Sequence, residues 1–355
     1  MSNSAGGSDP LAPPVGPGTP VSPIESIRLS KLITGVVGTQ LVYIAAKLSL
    51  ADHLASGPKS STELAQISRV DTARLARLLR AMASLGLVSE LQDGRYALAP
   101  LGMGLRSDLA ESQRDFALMM GSPWHISGWG NIARALDTDV SAFEAVFGET
   151  LFEFLDRHPE DSTVFGNAMA FTSRRHAKAI IDAYDFGSAG TVVDVGGGHG
   201  QLLADLLGRH PEATGVVFDL PAVAERAKDV FAAAKLSDRC SVVGGSFFDA
   251  VPSDGDVYIL KYIIHDWDDD RAVTILGNCR RAMRPNSKLL IIDVILPERN
   301  APFAKTWPDI EMLVLLPNGK ERTQAEFDQL LARAGLSLVR SLPTRSELSI
   351  LEVMA

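Results

Sequence analysis

The 355-residue chain contains two cysteines, Cys240 and Cys279. That is too few for a disulfide framework or a thiolate metal cluster, and both read as small buried apolar residues. No apolar stretch approaches the length of a membrane span, and the N-terminus lacks the basic start and apolar run of a signal peptide. The cytoplasm is the expected location, with no membrane partner. Positive charge is also in deficit: 34 Lys and Arg against 43 Asp and Glu leave a net charge of −9. A field of that sign repels phosphate backbones, so nucleic acid is not an expected partner and a neutral small molecule fits better. Residues 1–23 are rich in Pro, Gly and Ser with almost nothing apolar to bury. They are expected to be disordered and to stand outside the fold.

The remainder is 46% hydrophobic and 22% charged, a composition that supports buried cores, and its length suggests two domains. From Ile24 to about Leu54 the apolar residues Ile27, Leu32, Ile33, Val36, Val37, Leu41, Ile44 and Leu48 recur at helical spacing on more than one face. A helix apolar on several sides needs a partner, which points to a homodimer built through residues 24–101. Helix openings follow at Ser61-Thr62-Glu63 and at Asp71-Thr72. The runs Leu87-Val88-Ser89-Glu90 and Arg95-Tyr96-Ala97-Leu98, joined around Asp93-Gly94, then read as a hairpin. Helix, turn, helix and hairpin make a winged-helix unit. Such units often bind DNA, and Arg74, Arg77 and Arg80 lie on the candidate recognition helix. The acidic whole favours a structural, dimer-forming role instead.

Residues 102–185 read as a helical linker region. Its aromatic-rich part, Phe116 to Met169, is expected to divide between core and pocket. From Thr191 onward apolar runs alternate with helices: Val192 to Val195, Gly215 to Phe218, Val257 to Ile264 and Leu289 to Val294. That alternation implies an α/β domain over residues 186–355, with a mainly parallel, doubly wound sheet.

The densest signal is Val193-Asp194-Val195-Gly196-Gly197-Gly198-His199-Gly200, a buried strand running into a glycine cluster and then a helix near Gln201. Glycines let the backbone turn tightly and approach a ligand. Dehydrogenases use a comparable loop, so the loop alone leaves a nicotinamide oxidoreductase open. Asp194, just before the glycines, would repel a pyrophosphate but can accept a bond from an ammonium group, which sulfonium cofactors carry. Asp219, about 20 residues on, suits ribose hydroxyls of either cofactor.

These residues resemble the plant-type, caffeic-acid methyltransferase-like small-molecule O-methyltransferases, and more closely their bacterial natural-product counterparts. The glycine block carries the resemblance together with Leu260-Lys261-Tyr262-Ile263-Ile264-His265-Asp266-Trp267 and Gly319-Lys320-Glu321-Arg322-Thr323. It implies a Rossmann-like methyltransferase domain behind a winged-helix dimerisation domain. The cofactor it implies is S-adenosyl-L-methionine, released as S-adenosyl-L-homocysteine, and the acceptor is a small aromatic hydroxyl compound. His265 would be the general base, flanked by Asp293, where the family often has Glu, and by Glu321. Asp194, Gly196, Gly198, Asp219, Leu220 and Lys261 would meet the cofactor, as would Phe247, Asp266 and Trp267. Ser246 stands where the family usually has an adenine-binding Asp, and Asn318 replaces a usual glycine. The resemblance makes the helical region 102–185 the cover of the substrate and places Phe165, Met169 and Met312 near the acceptor; Trp124, from the aromatic-rich stretch, and Asp309 are further candidates there, with Asp266 serving both ligands.

Methyl transfer from a sulfonium is an in-line displacement, and a neutral hydroxyl is a poor nucleophile. A histidine with an ordinary pKa of about 6.5 can take its proton near neutral pH. Read from the residues alone, His265 serves equally as a satisfied histidine at a strand end, with Asp266 capping the helix that begins near Asp268. The acidic run Asp268-Asp269-Asp270 suits a helix dipole and solvent, so no metal is expected. N-methylation and a non-methylating use of the same cofactor stay open.

Overall fold

The computed structural model describes residues 20–109, 111–187, 189–299 and 302–355. Of the segment expected to be disordered, residues 1–19 lie outside the described residues, and Pro23 already opens a helix. The described chain forms two compact units. One holds residues 20–130 and Phe152–Thr172, the other Asn131–Leu151 and Ser173–Ala355. Residues 102–185 are thus divided between the units, and the 25-residue helix Pro159–Ala183 crosses the division.

In the first unit, the helix expected from Ile24 to Leu54 is three helices: Pro23–Ile33, Gly35–Lys47 and Leu50–Ala55. The breaks have local causes. The Thr34 hydroxyl bonds back to the Ser30 carbonyl at 2.9 Å just before Gly35, and Ser49 takes a left-handed φ of 50°, both of which interrupt the helical ladder. Ile24, Ile27, Leu32, Ile33, Val36 and Val37 are each more than half exposed. No single helix among the described residues is long and apolar enough to cross a membrane; the first two pass only together, across a 44° bend. Helix Ser61–Ser68 is capped by Ser60 rather than Ser61, in a reciprocal box with Glu63, and helix Thr72–Ser84 by Asp71. Strands β1 (Val88–Glu90) and β2 (Tyr96–Leu98) form the expected antiparallel hairpin. Leu75, Leu79 and Met82 face the core, while Arg74, Arg77 and Arg80 lie on the exposed side.

The second unit is built on an eight-stranded sheet among the described residues. Its strands are β3 (Thr191–Val195), β4 (Thr214–Asp219), β5 (Cys240–Gly244), β6 (Val257–Lys261), β7 (Lys288–Leu296), β8 (Arg322–Thr323), β9 (Ser337–Pro343) and β10 (Leu348–Met354). The order is β5-β4-β3-β6-β7-β10-β9, with β8 beside the end of β7. The run from β5 to β7 is parallel as expected, whereas β10 and β9 add an antiparallel edge. Alternate residues feed two cores. Val192, Ile259, Leu290 and Ile292 pack with Leu203, Leu206 and Leu207 of helix Gln201–Arg209. Val193, Leu260, Leu289 and Ile291 pack with Ile275 and Leu276 of helix Asp269–Ala282 and Leu330 and Leu331 of helix Gln324–Ala334. Burial on both faces explains why these strands read as continuous apolar runs. Chain order reverses between β3 and β6, and ligands of such sheets bind at the carboxyl ends of the strands at that point.

Candidate active site

The loop after β3 holds Gly196, Gly198 and Gly200 at φ of 71°, 56° and 74°. A Cβ on Gly196 would stand 2.3 Å from Ile263 Cδ1, and one on Gly200 2.8 Å from Phe231 Cζ. Gly198 has open space in that direction, so its glycine leaves the backbone approachable. Asp219, ending β4, accepts the Gly198 N–H at 2.8 Å on Oδ2 and the Leu220 N–H at 2.7 Å on Oδ1. Each oxygen retains a lone pair for a ligand hydroxyl. Asp194 is 3% exposed. Burial pushes its carboxyl up to about 7 against the opposing pull of Lys261, with Asp219 adding to the rise. Burial likewise brings the Lys261 ammonium down to about 8, opposed by Asp194 and Asp293.

Beyond β5 the Ser246 hydroxyl accepts the Phe248 N–H at 3.2 Å, closing a turn. Phe247 meets Trp267 edge-on with ring centroids 6.0 Å apart. Phe247 Cε1 lies 3.7 Å from where a Gly196 Cβ would be, which brings this aromatic pair to the glycine loop. The buried Trp267 Nε1 has no hydrogen-bond partner among the described residues. One buried and one half-buried acid, an approachable glycine backbone and an aromatic wall suit a ligand that carries an ammonium, a diol and a flat base.

The short helical turn Ile264–Asp266 follows β6 and carries His265. Its Nδ1 lies 2.9 Å from Glu321 Oε1, whereas Asp293 Oδ1 is 3.9 Å away and outside bonding range. Glu321 is therefore the orienting carboxylate. In the neutral imidazole, with Nδ1–H donated to it, Nε2 keeps the free lone pair; this nitrogen stands 3.3 Å from Asp266 Oδ1. Burial lowers the imidazole pKa, but the carboxylates of Glu321, Asp266 and Asp293 outweigh it and carry it up to about 10. Burial raises Asp293, whose two oxygens lack bonded partners among the described residues, to about 8, and Asp266 to about 6. Ligand-type atoms of His265, Asp293 and Glu321 all lie within 4.8 Å of one another, a spacing that a cation could also use.

The helix after this turn is capped by Asp268, which accepts the Arg271 N–H at 2.8 Å, leaving Asp266 free to face His265. Asp309 Oδ1 accepts the Glu321 N–H at 2.9 Å, so this residue, expected on the acceptor side, supports the histidine's partner. Asn318 is not among the residues with positive φ, and the position does not demand a glycine. Arg322, which the sequence offered only as part of a motif, is fully buried. Its guanidinium donates to the carbonyls of Ile264 at 2.9 Å and Trp267 at 2.7 Å, and to Asp269 at 2.8 Å, clamping the turn that bears His265. Met312 is half-buried in the same unit. Trp124, Phe165 and Met169 belong to the other unit, where Trp124 is 3% exposed and packs against Phe154.

Residues 129–337 match the O-methyltransferase domain, and residues 30–106 the O-methyltransferase dimerisation domain. The chain belongs to the O-methyltransferase family. A phenazine O-methyltransferase of Lysobacter antibioticus is 46% identical over 93% of this methyltransferase and 96% of its own length. The crystal structure of LaPhzM superposes with a TM-score of 0.89 at 45% identity, covering 94% of this chain and 99% of that one. An O-methyltransferase from neocarzinostatin biosynthesis, solved with S-adenosylmethionine and 2-hydroxy-5-methyl naphthoic acid, gives a TM-score of 0.78 at 35% identity over 90% and 96% of the two chains. The methyltransferase uses S-adenosylmethionine, which supplies an electrophilic methyl group, and its relatives serve secondary metabolism.

Assigning Asp219 to the cofactor ribose carries a direct expectation. Asp219→Ala should weaken binding of S-adenosylhomocysteine about 10-fold or more by calorimetry, since a hydrogen bond to a charged acceptor contributes about 1.5–3 kcal/mol. Unchanged affinity would remove Asp219 from the site.

Proposed function

We propose that the methyltransferase methylates a hydroxyl on a planar aromatic acceptor, with His265 as general base. The observation that carries this reading is the His265–Glu321 pair at the carboxyl end of β6, beside the cradle formed by the glycine loop, Asp194 and Asp219. Glu321 fixes the tautomer that leaves Nε2 basic and stabilises the imidazolium once the proton has moved. Asp194 and Asp219 are assigned to hold the cofactor's ammonium and ribose, and Phe247 and Trp267 its base. Support for an aromatic acceptor comes from relatives named for phenazines and from the neighbour solved with a hydroxynaphthoic acid. Incubation with isotopically labelled S-adenosylmethionine and a panel of hydroxylated phenazines, naphthoates and phenols, read by mass spectrometry, tests it. Methyl groups found only on nitrogen, or on none of the panel, would overturn the reading.

The raised pKa of His265 sets the pH dependence. Neutral imidazole, the competent form, grows as pH rises through that pKa, so kcat/KM should climb from neutral into alkaline pH, centred above 6.5. A profile already level at pH 7 would count against the assignment. We assign no metal to the cluster, and EDTA should leave activity unchanged. Metal-dependent recovery of EDTA-treated enzyme would instead make the carboxylates ligands.

We also propose a homodimer through the exposed apolar residues of Pro23–Ile33 together with Val36 and Val37, of which Leu32, Ile33, Val36 and Val37 fall within the domain whose family is named for dimerisation. Light scattering should give twice the chain mass, and a monomer at micromolar concentration would sink the proposal.

A further inference from the structure

Tyr262, the first residue after β6, stands at a φ of 55°. An L-residue enters that left-handed region at a cost of about 1–2 kcal/mol, and for a bulky side chain it is an outlier. Such strain persists only where the surroundings over-determine it. Here the Tyr262 N–H donates to the Ile292 carbonyl at 3.1 Å, and the ring contacts two histidines. It stacks on the His265 imidazole, with centroids 5.0 Å apart and planes inclined by 25°. It also meets the His176 ring at 5.8 Å and 56°. His176 is 1% exposed and pairs through Nε2 with Glu347 Oε1 at 3.0 Å, a bond that holds the Glu347 carboxyl down at about 2. Lys261 Nζ lies 4.7 Å from the centre of the same tyrosine ring.

The Glu321 bond at Nδ1 and the Asp266 carboxylate 3.3 Å from Nε2 both act along the imidazole plane and leave the ring free to tilt about the line that joins them. Asp293, 3.9 Å away, makes no second bond that would stop the tilt. A face-on ring does. We propose that Tyr262 is a positioning residue whose ring fixes the plane of His265, with the His176–Glu347 pair as the support that keeps Tyr262 in its strained conformation. The inference rests on His265 as the base. The hydroxyl of Tyr262 is no rival base, because burial and the carboxylates of Glu347, Glu321 and Asp293 keep it protonated.

Four variants and His265→Ala as their reference test it, with kcat, acceptor KM and S-adenosylhomocysteine affinity measured for each. Tyr262→Phe keeps the ring and should retain kcat within about threefold. Tyr262→Leu should lower kcat about 10- to 100-fold, the scale expected when a catalytic group is misplaced by about 1 Å, with KM and cofactor affinity within about twofold. Tyr262→Gly adopts the left-handed backbone without strain, so it removes the ring while protecting the fold and should lose kcat similarly. The double variant His265→Ala/Tyr262→Leu should lose no more than His265→Ala, because both changes act on one group. Full kcat in the Leu and Gly variants, a Phe variant as impaired as Leu, or additive losses in the double variant would each overturn the proposal. Full activity in His265→Ala alone would instead overturn the base assignment on which it rests.

Discussion

Replacing His265 with alanine is expected to lower kcat about 10²- to 10⁴-fold, the usual share of general-base catalysis, while S-adenosylhomocysteine binds within about twofold of the parent. Binding and chemistry separate because the imidazole is turned toward Glu321 and Asp266, whereas the assigned cofactor groups Asp194, Gly198 and Asp219 lie at the ends of β3 and β4. The loss should shrink as the acceptor's own pKa falls, since an acidic phenol is already partly ionised and needs less help. Undiminished kcat on a weakly acidic phenol would leave alignment of the two substrates as the whole catalytic device.

The second large effect is expected at Arg322, whose guanidinium is bonded to two carbonyls and Asp269 with none of its side chain exposed. Arg322→Met fills similar volume but strips the Ile264 and Trp267 carbonyls and Asp269 of their donor. Asp269 is half-exposed and keeps Lys320 at 3.4 Å, so the cost falls on the two carbonyls, about 1–3 kcal/mol for each buried acceptor left without a donor, a loss that urea denaturation would read directly. The same carbonyls belong to the turn carrying His265, so the folded fraction should also have reduced kcat. Arg322→Lys should not restore either property, because one ammonium cannot reproduce a planar fork that reaches three acceptors. A lysine variant with parent-like stability and kcat would show that charge alone suffices.

The glycine loop and the parallel heart of the sheet were legible because both are local. A buried run such as Val192 to Val195 followed by glycines has few other solutions, and the helix after it begins at Gln201 as the pattern indicates. The antiparallel edge was not legible. Strand β9 has only intermediate and exposed residues, so it lacks the apolar run that marks β3 or β7, and β10 is defined by what it pairs with. The helix breaks at Thr34 and Ser49 escaped for a related reason, since one hydroxyl bond and one left-handed residue outweigh an apolar periodicity that continues across them. At the site, His265 and Glu321 are 56 positions apart. Only the family resemblance named them together, and only the fold decides that Glu321 rather than Asp293 makes the bond. Arg322 stood in the sequence only as part of the block of residues 319–323, because no local pattern marks an arginine whose acceptors are distant backbone carbonyls.

Strand β8 is two residues long and its register pairs Arg322 with Ile295 and Thr323 with Leu296. Three successive residues have different duties: Glu321 meets the imidazole, Arg322 clamps the turn, and Thr323 caps the next helix in a reciprocal box with Glu326. A segment this short has no slack in which to absorb an error of phase. One residue deleted from this segment would bring the Arg322 guanidinium to face the histidine, and one inserted would carry the Glu321 carboxylate among the backbone carbonyls. Tolerance of length change, common in loops, should therefore be lost abruptly at this point, so that the length of the segment constrains the gene as strictly as its residues do.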